Sequence, residues 1–199
     1  MAGAFPISTA QFTSLGIKSI QNTIISKSVS GKKLARQIDG QRWAFTIQII
    51  TAKRSDVYGD LMAFIVKQRS GKENFTIVPP EIEDARGTAS GTPNGTASAG
   101  ATSITLGGSG TGTLKAGDFI KFASHDKIYM VVADQSDIST GSLTIEPPLT
   151  TAVSSSDIQF DNVPFTVHLT NDIQEFGAVG NDKDGNLLYQ FELDVEETL

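Results

Sequence analysis

Residues 42–49 of this 199-residue chain have the sequence RWAFTIQI. The odd positions carry its large apolar side chains: Trp43, Phe45, Ile47 and Ile49. A period of two over eight residues predicts a β-strand with one buried face, because successive side chains of a strand point to opposite sides. The Asp39-Gly40 dipeptide just before it favours a tight turn. We therefore expect a hairpin in which residues 32–38 pair with residues 42–49.

Two segments near the end of the chain, residues 163–169 and 187–195, show the same alternation. Residues 181–186 between them are turn formers and predict a hairpin loop. They also resemble half of a calcium-binding loop, but Phe191 stands where that loop needs a glutamate. Because an isolated hairpin is marginal in water, we expect this one to complete a sheet begun by residues 17–78.

One helix is predicted between the strand at residues 42–49 and a short strand at residues 75–78. Ser55 is a suitable N-cap, Asp56 suits the positive end of the helix dipole, and Gly71 is expected to end the helix in the left-handed conformation. Gly59 lies inside this helix and costs about 1 kcal/mol relative to alanine. Packing on the sheet must therefore stabilise the segment.

The composition changes at residue 87. All but four of residues 87–112 are Gly, Ala, Ser or Thr, which predicts a flexible loop or linker with a strand only at residues 103–106. Five short strands between residues 103 and 160, without a helix, predict a small β-barrel of the OB or SH3 type. We therefore divide the chain into a discontinuous β domain, residues 1–86 and 162–199, and an inserted linker and β module, residues 87–161.

The composition excludes several classes of site. The chain has no cysteine and two histidines, so it has no disulfide, no thiolate metal site and no cysteine nucleophile. The net charge of −6 argues against a general nucleic-acid binder. Residues 1–80 carry +7 and residues 81–199 carry −13. This asymmetry permits either head-to-tail attraction between copies or neutralisation within one fold.

No targeting segment is expected at residues 1–10, and no apolar run approaches the ~20 residues of a membrane span. No catalytic constellation stands out either. The glycine-rich run at residues 108–115 opens a strand rather than a helix, so it does not fit a phosphate-binding loop. His125 and His168 are expected on the surface. We expect no enzyme activity, no cofactor and no metal.

Four basic residues flank the predicted hairpin: Lys32, Lys33, Arg36 and Arg42. They suit an acidic protein partner, and we expect them at a subunit interface. A phosphate-binding patch is an alternative, and exposed lysines also protect strand edges from aggregation.

Several short segments resemble tail-tip proteins of long-tailed bacteriophages. They are VSGKK (29–33), GQRW (40–43), LMAF (61–64), QRSG (68–71), FTIVP (75–79), LKAGDFIKF (114–122) and NVPF (162–165). Within that group the chain is most similar to distal tail proteins. The resemblance implies a tail-tube-like β-sandwich with one flanking helix, which some members combine with an inserted OB-like module.

The resemblance also implies a function. It predicts a structural virion protein, made in the host cytoplasm, that forms a hexameric ring and connects the tail-tube protein to tail-tip or baseplate hub proteins. The hairpin at residues 32–50 is then expected to reach a neighbouring subunit, with no membrane or specific nucleic acid as partner. The family has no catalytic residues to carry over. The alternatives are a host glycan-binding module and another minor tail or connector protein.

Overall fold

The computed structural model describes residues 3–6, 11–37 and 40–198 of the chain. The fold is mainly β with one α-helix, as predicted. Fourteen strands are described: β1 (Phe12–Ile20), β2 (Thr23–Lys27), β3 (Lys33–Gln37), β4 (Arg42–Lys53), β5 (Phe75–Ile77), β6 (Pro93–Ala97), β7 (Ser103–Gly108), β8 (Phe119–Phe122), β9 (Ile128–Val131), β10 (Ser142–Glu146), β11 (Val153–Gln159), β12 (Phe165–Leu169), β13 (Ala178–Asn181) and β14 (Leu187–Glu197). The helix is α1 (Gly59–Lys67).

One six-stranded sheet joins the two ends of the chain. Its order is β1-β4-β14-β12-β5, and β13 pairs with β14 beside this path. The prediction that the last strands complete a sheet begun by residues 17–78 is therefore confirmed for β1, β4 and β5, whereas β2 and β3 lie outside this sheet. Phe45, Ile47 and Ile49 are at most 1% exposed, as their alternation predicts. Residues 182–186 form the predicted turn, but the strand that precedes it is β13. The predicted hairpin of residues 163–169 with 187–195 is therefore wrong, because β12 pairs with only the far end of β14.

The apolar face of this sheet packs against two other parts of the molecule. Leu61 and Ile65 of α1 belong to its buried cluster, and so do Phe119 and Ile128 of the barrel. The expected β-sandwich stays a prediction, because the described residues form one sheet here, covered by the helix and the barrel.

The ends of the helix differ from the prediction. A π-helical turn, Arg54–Tyr58, precedes α1, and no side chain caps either segment at its start. The left-handed residues after the helix are Arg69 and Ser70, not Gly71. Gly71 is required for another reason, because a Cβ there would lie 2.6 Å from the Leu169 carbonyl oxygen. Assigning Ser55 as the N-cap and Gly71 as the left-handed cap was therefore wrong.

Six strands close into the predicted small barrel, in the order β10-β7-β6-β11-β8-β9. The prediction of a flexible linker is wrong for β6, which forms part of the barrel wall, whereas the strand predicted at residues 103–106 is present as β7. Gly95 explains part of the unusual composition, because a Cβ there would lie 2.7 Å from Ile104 and 2.8 Å from Phe122. The serines and threonines of β6 and β7 are exposed on the outside of the barrel. Hydroxyl pairs such as Ser90–Thr111 (2.9 Å) and Thr92–Ser109 (2.7 Å) continue the β6–β7 ribbon beyond the barrel.

The predicted hairpin between residues 32–38 and 42–49 is also wrong. β3 pairs with β2, whereas β4 pairs with β1 and β14. The turn of the observed hairpin lies at Ser28–Lys32, where Gly31 has a positive φ of 81°. Residues 38 and 39 of the predicted hairpin lie outside the described residues. β4 joins the sheet because its buried face needs apolar neighbours on both sides, which β3 does not offer.

Candidate assembly surface

The β2–β3 hairpin, residues 23–37, is an arm that extends from the sheet. The pair Ile20–Arg42 ends the β1–β4 ladder, and the pair Thr23–Gln37 begins the arm. All ten strand residues of the arm are exposed. Within the described parts of the chain, β2 and β3 pair with each other and with no other strand. The arm therefore buries little within one copy of the chain.

The arm carries apolar and basic side chains together. Ile24, Ile25 and Leu34 are each more than half exposed, and Val29 at the tip is fully exposed. The register places Ile25 beside Ala35 on one face, and Ile24 and Leu34 on the other. Residues 11–37 contain five lysines or arginines and no acid. An exposed surface that is apolar and of one charge sign suits contact with an acidic protein surface.

The four predicted interface residues fall into two groups. Lys32 lies in the turn of the arm, and Lys33 and Arg36 lie on β3. Arg42 instead begins β4, where its guanidinium donates to Glu196 Oε1 at 3.0 Å. The structure thus brings three of them together on the arm and places the fourth at its root. Their role in a subunit interface stays a prediction.

The sheet has two edges that no described strand covers. The outer edge of β1 borders a groove of about 410 Å³ between residues 12–17 and Pro80–Ile82. β13, all of whose residues are exposed, forms another edge beyond β14. The third edge, at β5, is covered because the Phe5 amide donates to the Thr76 carbonyl oxygen at 2.8 Å. Sequence reasoning missed β13, whose residues show no alternation of large apolar side chains.

The acidic side chains of β14 already have partners on β4. Gln48 donates to Glu192 at 2.8 Å, and Thr46 donates to Asp194 at 2.7 Å. At the β13–β14 turn, Lys53 lies 2.6 Å from Asp182 and holds the pKa of that carboxyl well below its usual range. These side-chain contacts link β4 to β14 and to the β13–β14 turn on the outer face of the sheet.

A buried polar cluster joins the barrel to the sheet. This junction cluster consists of Gln41, Trp43, Lys127 and Glu197, all at most 7% exposed. The Lys127 ammonium donates to the Glu197 carboxylate and to Gln41 Oε1, the latter at 2.9 Å. Glu197 also accepts from the backbone amides of Trp43 (3.1 Å) and Ile128 (2.8 Å), and the Trp43 indole donates to the Ile128 carbonyl oxygen at 3.1 Å.

Burial acts on both charges of this cluster. It lowers the pKa of Lys127 and raises the pKa of Glu197, while each charge opposes the effect on the other. Lys127 and Glu197 are 70 residues apart in the chain, so no local pattern could have predicted the pair.

The barrel gives little support to the alternative of a glycan-binding module. Phe119, Phe122, Tyr129 and Phe160 are each at most 5% exposed, so none offers a ring for a sugar to stack on. His125 is half-buried and its Nε2 lies 2.8 Å from the Tyr129 hydroxyl. Across the described parts of the chain, no three histidine or carboxylate side chains converge as a metal site would require. Nor does any described helix have the length and apolar character needed to cross a membrane.

A comparison with known families finds a match in the region of the barrel. Residues 83–163 match the family model described as "Distal tail protein pb9, B domain". The barrel is thus similar to one domain of a distal tail protein. No curated protein matches the chain. The match to the B domain confirms the resemblance to distal tail proteins and supports a structural role in a phage tail.

Proposed function

We propose that this chain forms a ring at the distal end of a phage tail and connects the tail tube to the tail tip or baseplate hub. The observation that carries the proposal is the arm, which exposes apolar and basic side chains that one copy alone does not bury. The similarity of residues 83–163 to the B domain supports the same role. The division into residues 1–86 with 162–199, and 87–161, is part of this proposal.

The ring forms through contacts between unlike surfaces. The β1 edge of one copy meets the β13 edge of the next, and the arm of each copy lies on its neighbour. A contact between two different patches generates a closed ring when the rotation per subunit closes. Six subunits are expected from the resemblance to distal tail proteins. The basic arm and the acidic remainder of the chain favour this head-to-tail arrangement.

Charge reversal on the arm tests its contact. Lys33→Glu/Arg36→Glu is expected to abolish the oligomers formed by the purified protein, as measured by multi-angle light scattering and negative-stain microscopy. Lys67→Glu/Lys72→Glu reverses two exposed basic residues outside the arm and is expected to assemble normally. The arm contact is wrong if both double variants assemble like the wild type.

Cross-linking tests the proposed contact between the β1 and β13 edges independently of the arm. Since the chain has no cysteine, Ile17→Cys on β1 and Val179→Cys on β13 can be joined by a short bismaleimide reagent. A ladder of products that ends at a closed species is expected, and its last step gives the number of subunits. The exposed pair Val66→Cys and Val132→Cys, which lies off both edges, is the control. An equal ladder from both pairs would contradict the edge-to-edge contact.

A further inference from the structure

We propose that the junction cluster couples the position of the barrel to the arm, so that a displacement of the barrel changes the conformation of the arm root. This inference goes beyond ring formation and does not depend on it. It rests on where Gln41, Lys127 and Glu197 lie in the fold and on what their hydrogen bonds connect.

The cluster lies at the root of the arm. Gln41 directly precedes β4, and its side-chain amide donates to Ser19 Oγ on β1 at 3.0 Å. Gln41 therefore links the two chain segments that lead into and out of the arm. Its Oε1 accepts from Lys127, which belongs to the barrel. A single side chain thus touches both sides of the arm root and the barrel.

The same cluster fixes how the barrel sits on the sheet. Glu197 on β14 accepts from Lys127 and Ile128 of the barrel and from Trp43 of β4. Trp43 returns a hydrogen bond to the barrel and packs edge-on against Phe119 at 5.1 Å. These directional bonds are all satisfied in one docking geometry, so a shift of the barrel breaks several of them.

Stability alone does not account for a buried ion pair at this place. Replacement of such a pair by well-packed hydrophobic residues of similar volume is often neutral or stabilising, because desolvation of the charges offsets their attraction. What the charged pair adds is a penalty for any docking that separates the charges. The barrel is coupled to the arm because Lys127 donates hydrogen bonds both to Glu197 and to Gln41, which lies at the arm root.

The first test measures the distance from barrel to arm. Spin labels at Val29→Cys, on the arm tip, and Ser136→Cys, on an exposed barrel loop, are read by pulsed electron paramagnetic resonance on the full chain at concentrations where it is monomeric. In the double variant Lys127→Met/Glu197→Gln we expect a broader distance distribution and a red-shifted emission from Trp43, the single tryptophan.

The control removes a neighbouring ion pair of the barrel surface. Lys121 and Asp126 lie 2.7 Å apart and are partly exposed. Lys121→Met/Asp126→Asn is expected to leave the distance distribution and the Trp43 emission unchanged. The proposal is overturned if the folded junction variant behaves like the wild type, or if the control broadens the distribution equally.

A second variant keeps the test decisive if the junction variant does not fold. Gln41→Leu removes the link to the arm root and leaves the Lys127–Glu197 pair in place. We expect faster amide hydrogen exchange at residues 23–37, with unchanged Trp43 emission. Unchanged exchange in the arm would overturn the coupling.

Discussion

Gly95 lies on β6, where the backbone of the barrel wall approaches the barrel core. The space that a Cβ would need is filled by Ile104 and Phe122. Both side chains are fully buried, so neither can move aside into solvent. A residue that suggests flexibility in the sequence therefore serves close packing in the fold.

Gly95→Ala is expected to destabilise the protein by about 1–3 kcal/mol, the usual cost of inserting a methyl group into a filled core. Urea unfolding followed by circular dichroism measures this free energy. Gly16→Ala is the control, since a Cβ at that strand position would make ordinary contacts at 3.6 Å or more with Thr46. An equal loss in both variants would show that the close contacts at Gly95 are not the cause, because the lower entropy of the unfolded chain favours alanine at both positions.

At the residue scale, His125 is a half-buried histidine of the barrel. Burial against Phe122 and Tyr129 lowers its pKa below the usual 6.5. The unfolded chain therefore binds a proton more readily than the folded chain below about pH 6.5. The stability that is present above that pH is lost as the pH falls through the lowered pKa of the folded state.

We expect the melting temperature to fall between about pH 7.5 and pH 5.5, and to fall less in His125→Gln. Thermal unfolding at several pH values measures the difference between the two slopes. His168→Gln replaces the only other histidine and serves as the matched control. If His125→Gln keeps the full slope, His125 is not the group responsible.

At the scale of elements, the arm contributes no side chain to either buried core of the described residues. Its strand residues are exposed, and the backbone pairing of β2 is with β3 of the same arm. Replacement of residues 23–39 by a two-residue Asn-Gly turn is therefore expected to change the free energy of unfolding by only about 0.5 kcal/mol, as for other surface changes. Calorimetry measures the change. A loss of several kcal/mol would show that the arm supports the sheet.

The success of sequence prediction varied by element for physical reasons. β4, β12 and β14 were predicted because one face of each is buried, which imposes a period of two. The arm was assigned the wrong partner because Ile24 and Ile25 are both exposed, so no such period marks its strands. β6 was missed because packing against the core selects glycine there, and glycine is also typical of linkers.

The candidate site shows the same division. Lys32, Lys33 and Arg36 could be singled out from local sequence because they are close in the chain and lie on one hairpin. The ion pair of Arg42 with Glu196 and the junction cluster could not, since they join residues that only the folded sheet and barrel bring together.

At the scale of the whole molecule, two buried cores meet at the junction cluster. One core belongs to the sheet and includes Phe119 and Ile128, and the other fills the barrel. Because the barrel contributes side chains to the core of the sheet, we expect both to unfold together. Trp43 fluorescence and far-UV circular dichroism should give the same urea midpoint. A fluorescence transition at lower urea would show that the barrel detaches first.

The covered edge at β5 has a consequence for any assembly of this protein. Phe5 stacks with Phe75 and meets Phe64 edge-on, so this end of the sheet is closed by the chain itself. Among the described strands, the edges at which another copy could extend this sheet are those of β1 and β13, which differ in sequence. A structure built through two unlike ends has a direction, with a front and a back, whatever its number of subunits.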